Sequence, residues 1–386
     1  MPTHYCIKCN TPITPETNSE EHLFQNSIGG MLTVPGVLHR DCNNEAGNSW
    51  DAALAQQMNP LCLFLGIVRD RGDSPPLRVT TTAGENLKLH AGGGLSLANP
   101  SFAVVETDKG PAISLHARDK AEARRMLEGA KRKRFPNLDI DKILRTFDVE
   151  TSYPQGAIML SFSFGGREAG PAMVKTALTF AHVVGIDTRA CDLGLSYLRD
   201  QTTPAPFGYF DDQDLVRNRQ AGQPIHAVAV TADPVSGTLQ AYVEYFGVVR
   251  IVVGLSNSYD GPAIHHSYGV DPLTGLEIGA DVEPLAFTAA ELEAIYRYER
   301  TSPEAQTRNF SPILDTAMKR QFEKEKNRAV ADAVGFAFRN CGAKEGDILT
   351  PEQVRKLGGL VAHRLQPFLL RHMVRPHSRL PISPAF

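Results

Sequence analysis

Two short knuckles near the start of the chain restrict its fold more than any other feature. Cys6-Ile-Lys-Cys9 and His39-Arg-Asp-Cys42 each hold two metal-binding side chains two residues apart, with 29 residues between the pairs. A tight turn can aim both side chains of such a pair at one ion. Two turns then complete a tetrahedral site of three thiolates and an imidazole, a donor set suited to structural Zn2+. Cys is the commoner ligand at the His39 position, and His4 is a competing fourth ligand. The residues around the knuckles are mostly small, polar and turn-forming. A segment of this size buries little core unaided, so the metal is expected to supply part of its stability.

Cys62, Cys191 and Cys341 are isolated from the knuckles and from each other. One metal site and no disulfide framework predict a reduced, cytoplasmic protein. The opening MPTHYCIKC lacks the apolar segment of a secretory signal, and no run of 18 apolar residues predicts a membrane span. At 386 residues, 42% hydrophobic, the chain is long enough for two or three globular domains. A net charge of −3 excludes a polycation, so any nucleic-acid contact must come from local patches.

Residues 1–65 form the expected metal-bound module. Residues 66–98, with Arg-Gly-Asp-Ser-Pro-Pro and Gly92-Gly93-Gly94, predict a connector carrying a hairpin or two. In residues 99–285, Phe102–Glu106, Ala157–Phe164, Ile225–Thr231, Leu239–Phe246 and Val248–Gly254 are rich in β-branched and aromatic residues and predict strands. Lys120–Arg134 predicts a helix. So does Ala172–Val184, where Met173, Val174, Ala177, Leu178, Ala181 and Val184 make one apolar stripe. That order predicts an α+β domain with a mainly antiparallel sheet. Residues 286–386 predict helices: a capping box at Thr288-Ala-Ala-Glu291, the charged, alanine-rich Gln321–Phe338, and a start at Thr350 with Pro351 in first position.

Between the knuckles lie Glu20-Glu21-His22-Leu23-Phe24 and Ser27-Ile28-Gly29-Gly30. Cys42 leads directly into Asn43-Asn44-Glu45-Ala46-Gly47-Asn48, with Asp51 beyond. This ordered run of about 50 residues resembles the HNH (ββα-metal) endonucleases. The likeness is greatest to the bacterial subgroup with an Asp/Glu-His pair, a Gly-Gly turn and a Cys-Asn helix start. The resemblance implies hydrolysis of phosphodiester bonds, in DNA or alternatively RNA, and a place in bacterial defence. It maps His22 to the general base and Glu21 and Asn43 to the ligands of a catalytic Mg2+ or Mn2+. The chemistry agrees. An imidazole can take a proton from water near neutral pH, and a few oxygen donors suit a cation that must also hold phosphate.

Glu20 is an alternative ligand to Glu21. Asn44, Asn48 and Asp51, spaced i, i+4 and i+7, are expected to share a solvated helix face or a cap, with help in binding metal or water as the alternative. Three departures stand out. Glu21 replaces the commoner Asp, and Gln25 stands where Pro is common, with little expected consequence. The middle Asn that orients the histidine has no clear match. Its place falls near Thr33 or Val34, which leaves a backbone carbonyl or Asn26 to orient His22.

Residues 1–60 are acidic, with two basic residues against six acidic ones, so phosphate contacts are expected elsewhere. Arg118–Arg134 holds eight basic and three acidic residues and ends in Lys131-Arg132-Lys133-Arg134, the candidate nucleic-acid contact. Arg355, Lys356, Arg364, Arg371, Arg375 and Arg379 form a second basic stretch with no acid among them, which could instead meet acidic surfaces of another subunit. A homo-oligomer is a further expectation, since one site cuts one strand. Two other functions fit the same residues: a zinc-stabilised module that binds nucleic acid without cutting it, and a nuclease silent until the 99–285 region binds a ligand.

Overall fold

The computed structural model describes residues 4–70, 72–108, 110–146, 153–344 and 346–374. Arg375 and Arg379 of the second basic stretch lie outside them. Strands β1 (Asn18–His22) and β2 (Thr33–His39) form an antiparallel hairpin, and helix α1 (Arg40–Asn48) follows at once. The helix breaks at Ser49 (φ −122°, ψ −86°), and α2 (Trp50–Leu65) takes over. Next come β3 (Leu77–Thr81), β4 (Asn86–Leu89), β5 (Leu95–Leu97), β6 (Ser101–Thr107) and β7 (Gly110–His116). Helices α3 (Lys120–Lys133) and α4 (Ile140–Thr146), strand β8 (Ile158–Met159), and helices α5 (Gly166–Val183) and α6 (Asp192–Arg199) follow. Strands β9 (Phe207–Tyr209), β10 (His226–Asp233), β11 (Thr238–Tyr245), β12 (Val249–Ser256), β13 (Ile264–Val270) and β14 (Glu277–Ile278) precede helices α7 (Ala289–Tyr296), α8 (Pro303–Asn340) and α9 (Pro351–Val374).

The fold is α+β with antiparallel sheets, as expected. The largest has the order β14-β13-β10-β11-β12-β9, and a smaller one, β5-β4-β3-β8, grows from the predicted connector. Strands β11 and β12 are buried almost throughout, because the sheet is covered on both faces. One face meets α5 and α6. The other packs against Phe210, Val216, Val282, Leu285, Leu292 and Ile295.

Helix α5 differs from the one-sided stripe expected. It begins at Gly166, accommodates Pro171 internally, and is buried continuously from Ala169 to Ala181. The zinc-knuckle segment covers one flank and the sheet the other. Leu23, Phe24, Leu54 and Met58 therefore share one apolar core with Met173, Leu178, Val228, Val243 and Ile251. The N-terminal segment thus gains its missing core from the body of the protein. Of the expected strand Ala157–Phe164, Ile158–Met159 pairs, and Phe162 and Phe164 pack on Phe310 of α8 instead. Strand β13 escaped the sequence reading because His265, His266 and Ser267 break up its apolar pattern.

His226 fastens the two parts together. Its Nε2 donates to the Ile28 carbonyl at 2.8 Å, while its Nδ1 accepts from the Phe246 amide at 3.1 Å. Complete burial lowers its pKa from 6.5 to about 4. The folded state therefore refuses a proton that the unfolded chain accepts. Stability from this group is intact above pH 6.5, falls as pH drops toward 4, and the loss reaches about 3 kcal/mol. Urea unfolding of the wild type and His226→Gln across pH 4.5–7.5 checks this: the wild type should lose more on acidification. Parallel curves for the two proteins would show that His226 does not carry the effect.

Candidate active site and zinc frame

The first knuckle is a turn closed by Asn10, whose positive φ (58°) is one that Asn tolerates better than most residues, and by the bond from its amide to the Cys6 carbonyl. The Ile7 amide then bonds Val37 of β2, drawing this turn toward the end of the hairpin, where His39 and Cys42 sit. The donor atoms of Cys6, Cys9, His39 and Cys42 all lie within 4.8 Å of one another. His39 Nε2 sits 3.0 Å from the Pro12 carbonyl. Donation there leaves Nδ1, 3.1 Å from Cys9 Sγ, as the unprotonated ligand atom. The four residues fit a Cys3His zinc site. His4 is turned elsewhere, edge-on to His182 at 4.9 Å between ring centres.

The hairpin register places Glu21 opposite Val34 and His22 opposite Thr33. Gly29-Gly30 turns the chain between the strands. Gly29 has φ +100°, and a Cβ on Gly30 would collide with the Phe24 carbonyl, so glycine is required at both. Toward the loop end of the hairpin, Glu21, His22 and Gln25, together with Asn43, Asp51 and Arg69, line one cleft of about 380 Å3. The Asn43 amide nitrogen donates to the Glu20 carbonyl at 3.3 Å, which leaves its oxygen as a free donor atom. Asn43 directly follows Cys42, so a metal held by the cluster would fix where this oxygen starts from.

His22 is half-buried. Desolvation lowers its pKa below 6.5, against the opposing pull of Asp70, so the ring is neutral at pH 7. Asn26 does not orient it: that amide donates to Gly30 O and Asp70 Oδ2, and its own oxygen accepts from the Asp70 amide. Nor does Thr33, whose hydroxyl donates to Glu20. Among the described residues no backbone carbonyl or other group bonds the ring. The Asn26–Asp70 pair instead brings a carboxylate from the predicted connector to the cleft's neighbourhood.

Glu21 is almost fully buried, and its Oε1 accepts from Lys175 Nζ of α5. The same ammonium donates to Asp51 Oδ2 at 2.6 Å, while Asp51 Oδ1 accepts from Gln25 Nε2 at 2.9 Å. Burial pushes the Glu21 carboxyl upward and Lys175 pulls it back. For Lys175 itself, burial opposes the charge, but Asp51 and Glu21 together outweigh it and keep the ammonium protonated. Removing one member of such a buried set costs about 3–5 kcal/mol.

Two expectations change. Asp51 does not share a solvated face with Asn44 and Asn48: the break at Ser49 puts it on α2, inside the site. Gln25 also has a consequence, since it holds Asp51. Lys175 went unnoticed in the sequence, although a single lysine in the apolar run Ala169–Ala181 was the signal. A charge there must be paired.

Lys131, Arg132, Lys133 and Arg134 are exposed at the C-terminal end of α3, where positive charge complements the helix dipole. They are not among the cleft-lining residues. Arg364 of the second basic stretch pairs with Asp332 of α8 at 2.7 Å, so part of that charge is met within the chain.

The arrangement of hairpin, helix, zinc ligands and Glu-His pair has a counterpart among known proteins. Residues 6–59 match the HNH endonuclease family. The chain thus carries an N-terminal HNH module, which implies nuclease chemistry on a nucleic-acid substrate. The match spans the knuckles, the Glu21-His22 pair, Asn43 and Asp51, and stops within α2. No curated protein and no solved structure matches the chain significantly. Among the described residues no helix is long and apolar enough to cross a membrane.

Proposed function

We propose that the cleft hydrolyses phosphodiester bonds in DNA with the help of Mg2+ or Mn2+. The observation that carries this reading is the convergence of Glu21, His22, Asn43 and Asp51 on one cleft beside the zinc cluster. His22, neutral through burial, takes a proton from the attacking water. Glu21 and the Asn43 amide oxygen are the donors that would hold the catalytic cation, and they offer the hard oxygen ligands it requires. When bound, the cation neutralises charge on the phosphate and the departing oxygen. Arg69, on the cleft wall, is placed to meet a neighbouring phosphate.

Lys131–Arg134 supply the phosphate contacts that the acidic module lacks, and RNA is the competing substrate. One cleft cuts one strand, so a double-strand break needs two copies of the chain. Zinc-loaded protein should nick supercoiled plasmid with Mg2+ or Mn2+ and stop in excess EDTA. A protein that retains zinc and binds DNA, yet nicks nothing under any divalent cation, would instead be the binding-only module. The ligand-gated reading has a second cavity of about 250 Å3 lined by Asp211, Asp214, Arg219 and Arg250. Arg219 and Arg250 already pair with Asp214 and Glu244, so this cavity gives that reading little support.

A further inference from the structure

A cation of the chain itself already sits against the carboxylates of the cleft. Lys175 Nζ bridges Glu21 and Asp51, two carboxylates more than two dozen residues apart and on different elements. Lys175 is 2% exposed and Glu21 3%, so water screens this contact poorly. Glu21 is also the carboxylate assigned to the catalytic cation, an assignment on which the inference rests. Without Lys175, two negative groups would face each other across an apolar wall formed by α5. With it, the formal charge of the trio falls from −2 to −1, and the attraction a second cation would feel is reduced accordingly.

We propose that Lys175 is a resident competitor of the divalent cation. Its ammonium holds Glu21 and Asp51 in place while the site is at rest, and loading the metal requires it to release Glu21, wholly or in part. Two features argue that this is built in. The ammonium comes from outside the matched HNH segment, on a helix buried along its length, so it cannot swing out to solvent as a surface lysine would. Asp51 has both oxygens engaged, one by Lys175 and one by Gln25, so it remains a second anchor for the ammonium after Glu21 is taken. Lys175 is therefore a positioning residue that sets how much free metal the enzyme needs.

The test is a Mn2+ titration of zinc-loaded, full-length protein at pH 8, read by loss of the free Mn2+ paramagnetic resonance signal. Lys175→Met keeps the length of the side chain and removes its charge. It should tighten Mn2+ binding tenfold or more, and the added change Glu21→Gln should abolish the gain. Unchanged or weaker binding in Lys175→Met overturns the proposal. Should that variant fail to fold, the wild type gives a second readout. The Lys175 ammonium, observed by 15N resonance in lysine-labelled protein, should shift as Mg2+ is added, over the same concentrations that support nicking. A resonance unmoved at saturating Mg2+ overturns the proposal equally. If the wild type neither binds Mn2+ nor nicks DNA, the nuclease reading itself fails. If it does both and Lys175→Met shows no gain, only the role of Lys175 fails.

Discussion

His22→Ala should reduce plasmid nicking by about 10^2–10^4-fold, the usual worth of a positioned general base, while leaving the fold and the zinc content as they were. The separation is expected because His22 is half-buried at the cleft and bonds no other described residue, so its removal breaks no structural contact of consequence. Wild-type activity should rise with pH along a limb set by His22, with its midpoint below the ordinary pKa of 6.5, since desolvation favours the neutral ring. A bound divalent cation nearby would lower the pKa further, in the same direction. Cleavage retained in His22→Ala, or a limb that shifts nowhere when His22 is replaced, would remove it from the chemistry.

Cys42→Ser should abolish both zinc retention and nicking, and no excess of Mg2+ should restore either. Cys42 stands one residue before Asn43, and its loss frees the start of α1 from the first knuckle. The expected thermodynamic loss is several kcal/mol but less than complete unfolding, because Leu23, Phe24, Leu54 and Met58 remain anchored in the common core. Zinc analysis beside thermal denaturation distinguishes this from a purely catalytic lesion: His22→Ala should keep both values and Cys42→Ser should lose both. A Cys42→Ser protein with full zinc and an unchanged melting point would mean that Cys42 is not a ligand of the bound zinc.

Local chemistry made the zinc frame and the hairpin–helix legible. Ligands two residues apart announce a turn, and Gly29-Gly30 announces another, whatever the rest of the chain does. Helix starts were legible for the same reason, as at Thr288, where side chain and backbone satisfy each other within one turn. Long-range assembly was not legible. Nothing near Glu21 in the sequence points to a lysine 154 residues later, and nothing near Asn26 points to Asp70. Lys175 could have been suspected from its apolar surroundings, but its partners could not. The second basic stretch was legible only in part. Counting charges within one segment misses an acid such as Asp332 on the helix packed against it.

The common core has a consequence for how such an HNH module can be passed from one protein to another. An HNH module whose underside is completed by α5 is no cassette. Moved alone, residues 6–59 would expose Phe24, Leu54 and Met58 to water and leave Glu21 and Asp51 without their cation. A working transplant would have to carry α5, and the sheet that α5 rests on, along with it.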